Sequence, residues 1–352
     1  MTHICITFDY ELFFGDNYGS YDEVLFDPTY ELIDALEKKG VSATFFADVC
    51  SIPVAKKYEQ YSYVEGFEKQ LRYMVNHGQD VQLHLHPHWY YSTWENDKWA
   101  FAKKGYRIHD FIEEGKMDSI IETRIEYLNN LLKPESKEYS CIAYRAGGFS
   151  LQPHDKLVEV LYKNGIRVDS SVAPHLYSDN GAQKYDYRHD LTDVNWYISP
   201  GCMWWENGNS QNGLFEIPIA VIDKNPVSFF AKRLLSPESI KLVHGPKRGS
   251  YISASEKKNT KLSGIFNYFT GYNAISLDAY SAEYLMCQTN RLHKRLDHES
   301  AISVIGHPKL SDKKFISNLS RYIELIQDDD RFDILSVENA YNMISDSQNR
   351  RK

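Results

Sequence analysis

Long apolar runs are missing from this chain of 352 residues: no stretch of about 18 consecutive apolar residues occurs, so no membrane-spanning helix is expected. The N-terminus, MTHICITFDYELFF, lacks a basic leading segment and meets an acid at Asp9, so a secretory leader is not expected either. Cysteine is scarce. The five residues, Cys5, Cys50, Cys141, Cys202 and Cys287, are odd in number, far apart and without a CxxC pair. Cys5, Cys50 and Cys141 lie in or beside apolar strand-like runs and read as small buried hydrophobes in a reducing compartment, with the cytoplasm as the expected location. An excess of positive charge is also absent. The 40 basic and 48 acidic residues give a net charge of −8 with no long single-sign run. That argues against a nucleic-acid or anionic-membrane partner, the short basic tail Arg350–Lys352 aside.

What the chain does contain is ordinary for a soluble α/β protein, with 42% apolar and 25% charged residues. Short apolar runs alternate with helix-period segments along most of its length. Residues 4–8, 41–49, 80–85, 140–144, 166–171, 214–221, 301–307 and 332–335 read as strands. Helical stretches at 28–40, 66–78, 119–132, 154–165, 281–296 and 313–327 separate them, two of these closing on Gly40 and Gly78. Seven or eight such repeats with buried, β-branched strands predict mostly parallel strands wrapped by helices. A distorted (β/α) barrel is favoured over a doubly wound sheet because no Gly-rich dinucleotide turn follows the first strand. One domain over residues 1–352 is expected. Two sections break the rhythm, at about 172–213 and 222–280, and are read as loop insertions walling a substrate groove. Within the second, residues 226–235 look helical and 244–250 form a basic loop.

Parallel β/α folds place their sites at the C-terminal ends of strands. Six strand ends here carry ionisable residues: Asp9 and Glu11, then Asp48, then His84, His86 and His88, then Arg145, Asp169 and His307. Any one is more often structural than functional, but six at one end of one sheet is hard to explain as core filling, because buried charge needs partners. The histidine triplet can be read two ways. On an extended strand, rising about 3.3 Å per residue, His84 and His88 stand roughly 13 Å apart. A metal with ligands at about 2.0–2.1 Å then takes only neighbours such as His84 and His86. If the chain turns after Leu85, His84 and His88 become the pair, and Pro87 is consistent with a strand ending there.

The motifs TFDYE (7–11), HLHPH (84–88), YRAGGFS (144–150), VDSS (168–171) and VIGHP (304–308) resemble, in order, the five motifs of the polysaccharide deacetylase family, the NodB-homology carbohydrate esterases. They span nearly the whole chain. The resemblance implies a distorted (β/α) barrel and a hydrolase that uses one divalent metal ion to remove acyl groups from N-acylated sugars; zinc is the first choice, with cobalt, nickel or manganese as alternatives. It implies Asp9 as catalytic base, His84 and His88 as metal ligands, Arg145 as the residue orienting the base, His307 as general acid and Asp169 as the carboxylate tuning it. Two positions depart from the family pattern. The aspartate that serves as third metal ligand is Tyr10, for which either Glu11 substitutes, if the strand has ended by Tyr10, or Asp9 moves onto the metal. The serine or threonine after the first metal histidine is Leu85.

Substrate contact is assigned to His86, Trp89, Gly147 and Gly148, with Asp48 as a further candidate. The leading expectation is a cytoplasmic N-deacetylase acting on an N-acylated carbohydrate, such as a sugar nucleotide or a surface-polysaccharide precursor. A hydrolase of a non-sugar amide and a non-catalytic sugar-binding protein with a decayed metal site are the two rivals.

Overall fold

Strand β1 (Thr2–Tyr10) is buried at all nine positions, as a strand covered on both faces must be. Thr7 and Asp9 point to one face and Phe8 and Tyr10 to the other, the period of two that sorts polar interior from helix-covered exterior. The computed structural model describes residues 1–189, 194–205, 212–223, 233, 241–242, 248–251, 271–296 and 298–350. Strands β2 (Thr44–Asp48), β3 (Asp80–Leu85), β4 (Ala143–Ala146), β5 (Val168–Asp169), β6 (Trp196–Ser199), β7 (Cys202–Trp205), β8 (Leu214–Glu216), β9 (Ser300–Gly306) and β10 (Phe332–Ile334) complete a ten-stranded sheet.

The hydrogen-bonded order is β7-β6-β8-β5-β4-β3-β2-β1-β9, with β10 also pairing β1. All pairings from β8 through β9 are parallel, and so is β1 with β10; only β6 runs antiparallel to β7 and β8. The four residue pairs of β1 and β2 match Thr7–Tyr10 with Thr44–Ala47, while β10 meets the beginning of β1 at Thr2–Ile4. The outer edge of β9 receives the segment after β8. A parallel bridge joins Ile219 to Ser303, Ala220 N–H donates to Ser303 O at 2.8 Å and Ser303 N–H to Pro218 O at 2.9 Å. Farther along, Ser276 bridges Ile305, and Leu277 N–H donates to Ile305 O at 2.8 Å. The edge of β9 therefore meets the segment after β8 through isolated bridges and not a ladder, and the hydrogen-bonded strand order itself is an open path.

Helices α1 (Asp27–Lys38), α2 (Ser51–Lys57), α3 (Tyr61–Asn76), α4 (Met117–Leu132), α5 (Asp155–Lys163), α6 (Ala282–His293), α7 (Lys313–Gln327) and α8 (Val337–Arg350) cover the sheet. Each longer one buries an apolar stripe, such as Leu32, Ile33 and Leu36 of α1. Helix α7 is capped by Asp312, whose carboxylate accepts from Phe315 N–H at 2.8 Å. Gly40 and Gly78 follow α1 and α3 with φ of +64° and +70°, the left-handed geometry anticipated at those two ends.

The sections read as insertions contribute more regular structure than a loop reading allows. Residues 172–213 supply β6 and β7 and a hairpin of Tyr177–Asp179 with Lys184–Asp186. The helix-like piece at 226–235 lies outside the described residues apart from Arg233, and the basic loop 244–250 is described only from Arg248. Arg248–Tyr251 line a groove of about 890 Å³ together with Phe13, Lys309 and Ser311.

Candidate metal and acid–base site

Where β1 ends, Glu11 continues the inward face of Thr7 and Asp9. Tyr10 turns outward: its ring lies 5.0 Å from that of Phe67 and its hydroxyl donates to Gln70 Oε1 at 2.7 Å. Tyr10 is thus committed to the helix layer, and Glu11 is the carboxylate that reaches the interior. Its Oε2 lies 3.3 Å from His84 Nε2 and 2.7 Å from His86 Nε2. The ligand atoms of Glu11, His84 and His86 all fall within 4.8 Å of one another. Glu11 Oε2 and His84 Nε2 are buried and make no well-directed hydrogen bond among the described residues. His84 Nδ1 sits 2.8 Å from the carbonyl oxygen of Arg145; donating there, it leaves Nε2 facing Glu11 as the nitrogen whose proton a metal ion would displace. One carboxylate and two imidazoles converging in this way suit a zinc-like divalent ion.

The chain does turn after Leu85, and yet the pair brought together is His84 with His86. One carboxylate explains this. Asp48, at the end of β2, accepts His86 N–H on Oδ1 at 3.1 Å and Trp89 Nε1–H on Oδ2 at 2.7 Å. These bonds wrap Pro87–Tyr91 into a 3₁₀ turn and hold the His86 ring inward. A side chain at Gly147 would lie 2.6 Å from Leu85 O and 2.8 Å from His86 Nδ1, so only glycine leaves room for that ring. Gly148 adopts φ of +58° in the turn that follows.

His88 stands apart from the group. Its ring packs against Phe14 at 4.6 Å, Tyr106 at 5.5 Å and Phe101 at 5.8 Å, and neither nitrogen has a hydrogen-bond partner among the described residues. Burial, with the His86 charge adding to it, holds its pKa well below the usual histidine value, so it is a neutral ring in an aromatic box. Trp89 is fully buried between Trp99 and Phe101 and has no surface to offer a substrate.

Arg145 is completely buried, and each of its five donors is used. Nη1 donates to Asp9 Oδ1 at 2.8 Å and Thr7 Oγ1 at 2.9 Å, Nη2 to Ser303 Oγ at 2.8 Å and Ser170 Oγ at 3.0 Å, and Nε to Ser170 O at 2.8 Å. The guanidinium also lies over the Phe46 ring at 4.2 Å. It is fixed across three strands and aims the Asp9 carboxylate. The other oxygen, Asp9 Oδ2, faces His84 Nε2 at 3.8 Å and His307 Nε2 at 4.0 Å. Burial pushes the Asp9 carboxyl up, but Arg145, His84 and His307 outweigh it and hold the carboxyl below its ordinary value. For Glu11 burial is likewise overcome, by Lys309 and His86, leaving it well below the usual range. His84 is pushed up to about 9: burial opposes its charge, while Asp9 and Glu11 favour it more strongly.

His307 follows β9 and keeps about a fifth of its side chain exposed (22%). The carboxylate against it is Asp278, whose Oδ2 lies 2.7 Å from Nδ1 and whose Oδ1 accepts His307 N–H at 3.0 Å. Burial lowers the His307 pKa, and Asp278 more than restores it, placing it above the ordinary value. Asp169, expected in this role, faces elsewhere. It accepts Ser171 Oγ–H at 2.8 Å and Ser171 N–H at 3.0 Å, capping the turn after β5, and it abuts Glu216. Burial, reinforced by the Asp169 charge, raises the Glu216 carboxyl well above its usual range.

Two site residues had no sequence signal strong enough to single them out. Asp278 lies in a section read as an insertion. Lys309 follows the VIGHP motif directly, and its buried ammonium donates to Glu11 Oε1 at 2.7 Å and Leu12 O at 2.9 Å.

No sequence-family model and no curated relative matches the chain. Solved structures do match along nearly its whole length. The "putative polysaccharide deacetylase from Mycobacterium smegmatis" is 11% identical with a TM-score of 0.48, covering 98% of this chain and 91% of its own. Puue allantoinase is 12% identical with a TM-score of 0.47, covering 97% and 89%. A family 4 acetyl xylan esterase from Clostridium thermocellum, in complex with a cobalt ion, is 11% identical with a TM-score of 0.39, covering 97% and 91%.

Proposed function

We propose that the chain is a metal-dependent hydrolase that removes an acyl group from the nitrogen of an N-acylated sugar or polysaccharide precursor. The observation that carries the reading is the convergence of Glu11, His84 and His86 between two separately supported acid–base groups, Asp9 on Arg145 and His307 on Asp278. Glu11 Oε2 and the Nε2 atoms of His84 and His86 would hold a divalent ion, which when bound supplies Lewis acidity toward an acyl carbonyl and activates water.

The chain's own residues supply the proton transfers. Asp9, kept ionised by Arg145 through Oδ1, has Oδ2 available to accept a proton from the attacking water. His307, held protonated by Asp278 at Nδ1, presents Nε2 to the departing nitrogen, whose protonation breaks the C–N bond. The base and the acid lie about one water apart, with Asp9 Oδ2 and His307 Nε2 separated by 4.0 Å. The sugar substrate class rests on the resemblance of the five motifs.

Metal analysis and acetate release test the proposal together. Protein purified without chelator is expected to carry one divalent ion and to release acetate from N-acetylated sugars. His307→Ala is expected to abolish turnover while keeping the ion. Failure to bind zinc, cobalt or nickel would overturn the hydrolase reading, and release of ammonia from other amides in place of acetate would move the substrate to a non-sugar class.

A further inference from the structure

Lys309 occupies an unusual position for a cation. Its side chain is fully buried, with the ammonium bonded to Glu11 Oε1 and Leu12 O and held between the rings of Tyr251 at 4.8 Å and of Phe13 and Phe14 at 5.1 Å each. A charge removed from water in this way needs a partner. That partner is the same carboxylate whose other oxygen faces His84 and His86. The ammonium is therefore one carboxylate away from where a divalent ion would sit.

Two effects oppose each other here. Lys309 freezes Glu11 in the inward rotamer, which favours an ion by no more than about thirtyfold, the cost of ordering one long side chain. It also places a positive charge roughly 5 Å from where a doubly positive one would sit, and even at the effective dielectric of a protein site, about 20, that repulsion far exceeds thirtyfold in a binding constant. Repulsion wins. We infer that Lys309 is a resident counter-cation of the Glu11–His84–His86 group, which balances the charge of the empty site and weakens its hold on a divalent ion. The inference rests on the proposed metal site and gives that site a property its donor set alone does not have: a loosely held, exchangeable ion.

The test is competition titration of zinc against a chelating dye at one fixed pH, on wild type, Lys309→Gln and Lys309→Arg, with thermal unfolding of each metal-free protein. Lys309→Gln is expected to bind zinc at least about tenfold more tightly. Lys309→Arg, which keeps the charge, is expected to stay within about threefold of wild type. Metal-free Lys309→Gln should melt below metal-free wild type, and zinc should narrow the gap, because the ion takes over as partner to Glu11. If Lys309→Gln does not fold, Lys309→Met, whose apolar end suits the three rings, is read in its place. Equal or weaker binding by the neutral variant overturns the inference, as does equal tightening in Lys309→Arg. The hydrolase proposal is separately exposed. Zinc bound by the neutral variant but not by wild type supports the counter-cation and overturns the hydrolase, and zinc bound by neither overturns both.

Discussion

Replacing Asp278 with asparagine removes the negative charge opposite His307 Nδ1 while leaving a side chain of the same shape. His307 also faces Asp9 Oδ2 at 4.0 Å, Glu11 Oε1 at 3.9 Å and the Lys309 ammonium, so its charge state is a sum of several influences. Asp278 supplies the shortest contact, 2.7 Å, and is the largest influence that raises the pKa. A hydrogen bond to a charged group is worth about 1.5–3 kcal/mol, and each 1.36 kcal/mol moves a pKa by one unit. Asp278→Asn is therefore expected to lower the His307 pKa by about one to two units. The measurement is a histidine NMR titration of wild type and variant, in the metal-free state, with His307→Ala assigning the resonance. Wild-type His307 should titrate above the ordinary histidine value and the variant below it. Under the proposed hydrolase function, the alkaline limb of the pH–rate profile should move down with it, since the acid loses its proton earlier. An unchanged or raised His307 pKa in Asp278→Asn would refute the pairing.

Tyr10→Phe removes the hydroxyl from Gln70 Oε1 and should cost about 1–3 kcal/mol by denaturant unfolding with zinc affinity unchanged; a tenfold loss of zinc would instead place Tyr10 in the metal site. Asp48→Asn confronts three donors, Cys50 N–H and His86 N–H on Oδ1 and Trp89 Nε1–H on Oδ2, with a group that keeps a single accepting oxygen. It should cost a similar ~1–3 kcal/mol and weaken zinc binding, because the His86 ring loses its support; stability lost with zinc affinity intact would detach Asp48 from the site. Glu338, in the first turn of α8, has its carboxyl raised to about 7 by burial and by Asp80. The unfolded chain ionises it at its ordinary, lower value, so a destabilising contribution grows as pH rises through that value and is complete above about 7. Glu338→Gln should therefore stabilise by about 1 kcal/mol at pH 8, allowing for its partial exposure, and have no effect near pH 4. Equal stabilisation at both pH values would refute that account.

Much of this architecture is legible in the linear pattern. The parallel strands announce themselves as short apolar runs between amphipathic segments, and residues 80–85 and 313–327 coincide with β3 and α7 to the residue. Asp9, Arg145 and His307 could be found because each lies at or just past the C-terminal end of a strand, and those ends share one face of the sheet. The choice between His86 and His88 could not be made that way. It depends on Asp48, which is 38 residues away and acts through a backbone N–H and an indole. Asp278 was hidden for a similar reason, since it reaches His307 from a segment with no periodicity of its own. Strands β6 and β7 escaped because each is only four residues long and set among the Asn, Asp and Gly residues of a loop-like section, and their pairing with each other and with β8 is antiparallel and local.

The seam along β9 has a mechanical consequence. Ile275 and Leu277 are stitched to β9 by backbone hydrogen bonds, and Asp278 follows at once on the same piece of chain. The stitch on the edge of β9 and the carboxylate that charges His307 are therefore one piece of chain. A rupture of those few bonds, whether by thermal breathing or by a partner pulling on the loop, would unclasp the wall and disarm the acid in the same event, while Asp9, Arg145 and the histidine turn stayed in place. Amide hydrogen exchange at Leu277 would then report the fraction of molecules armed at any instant.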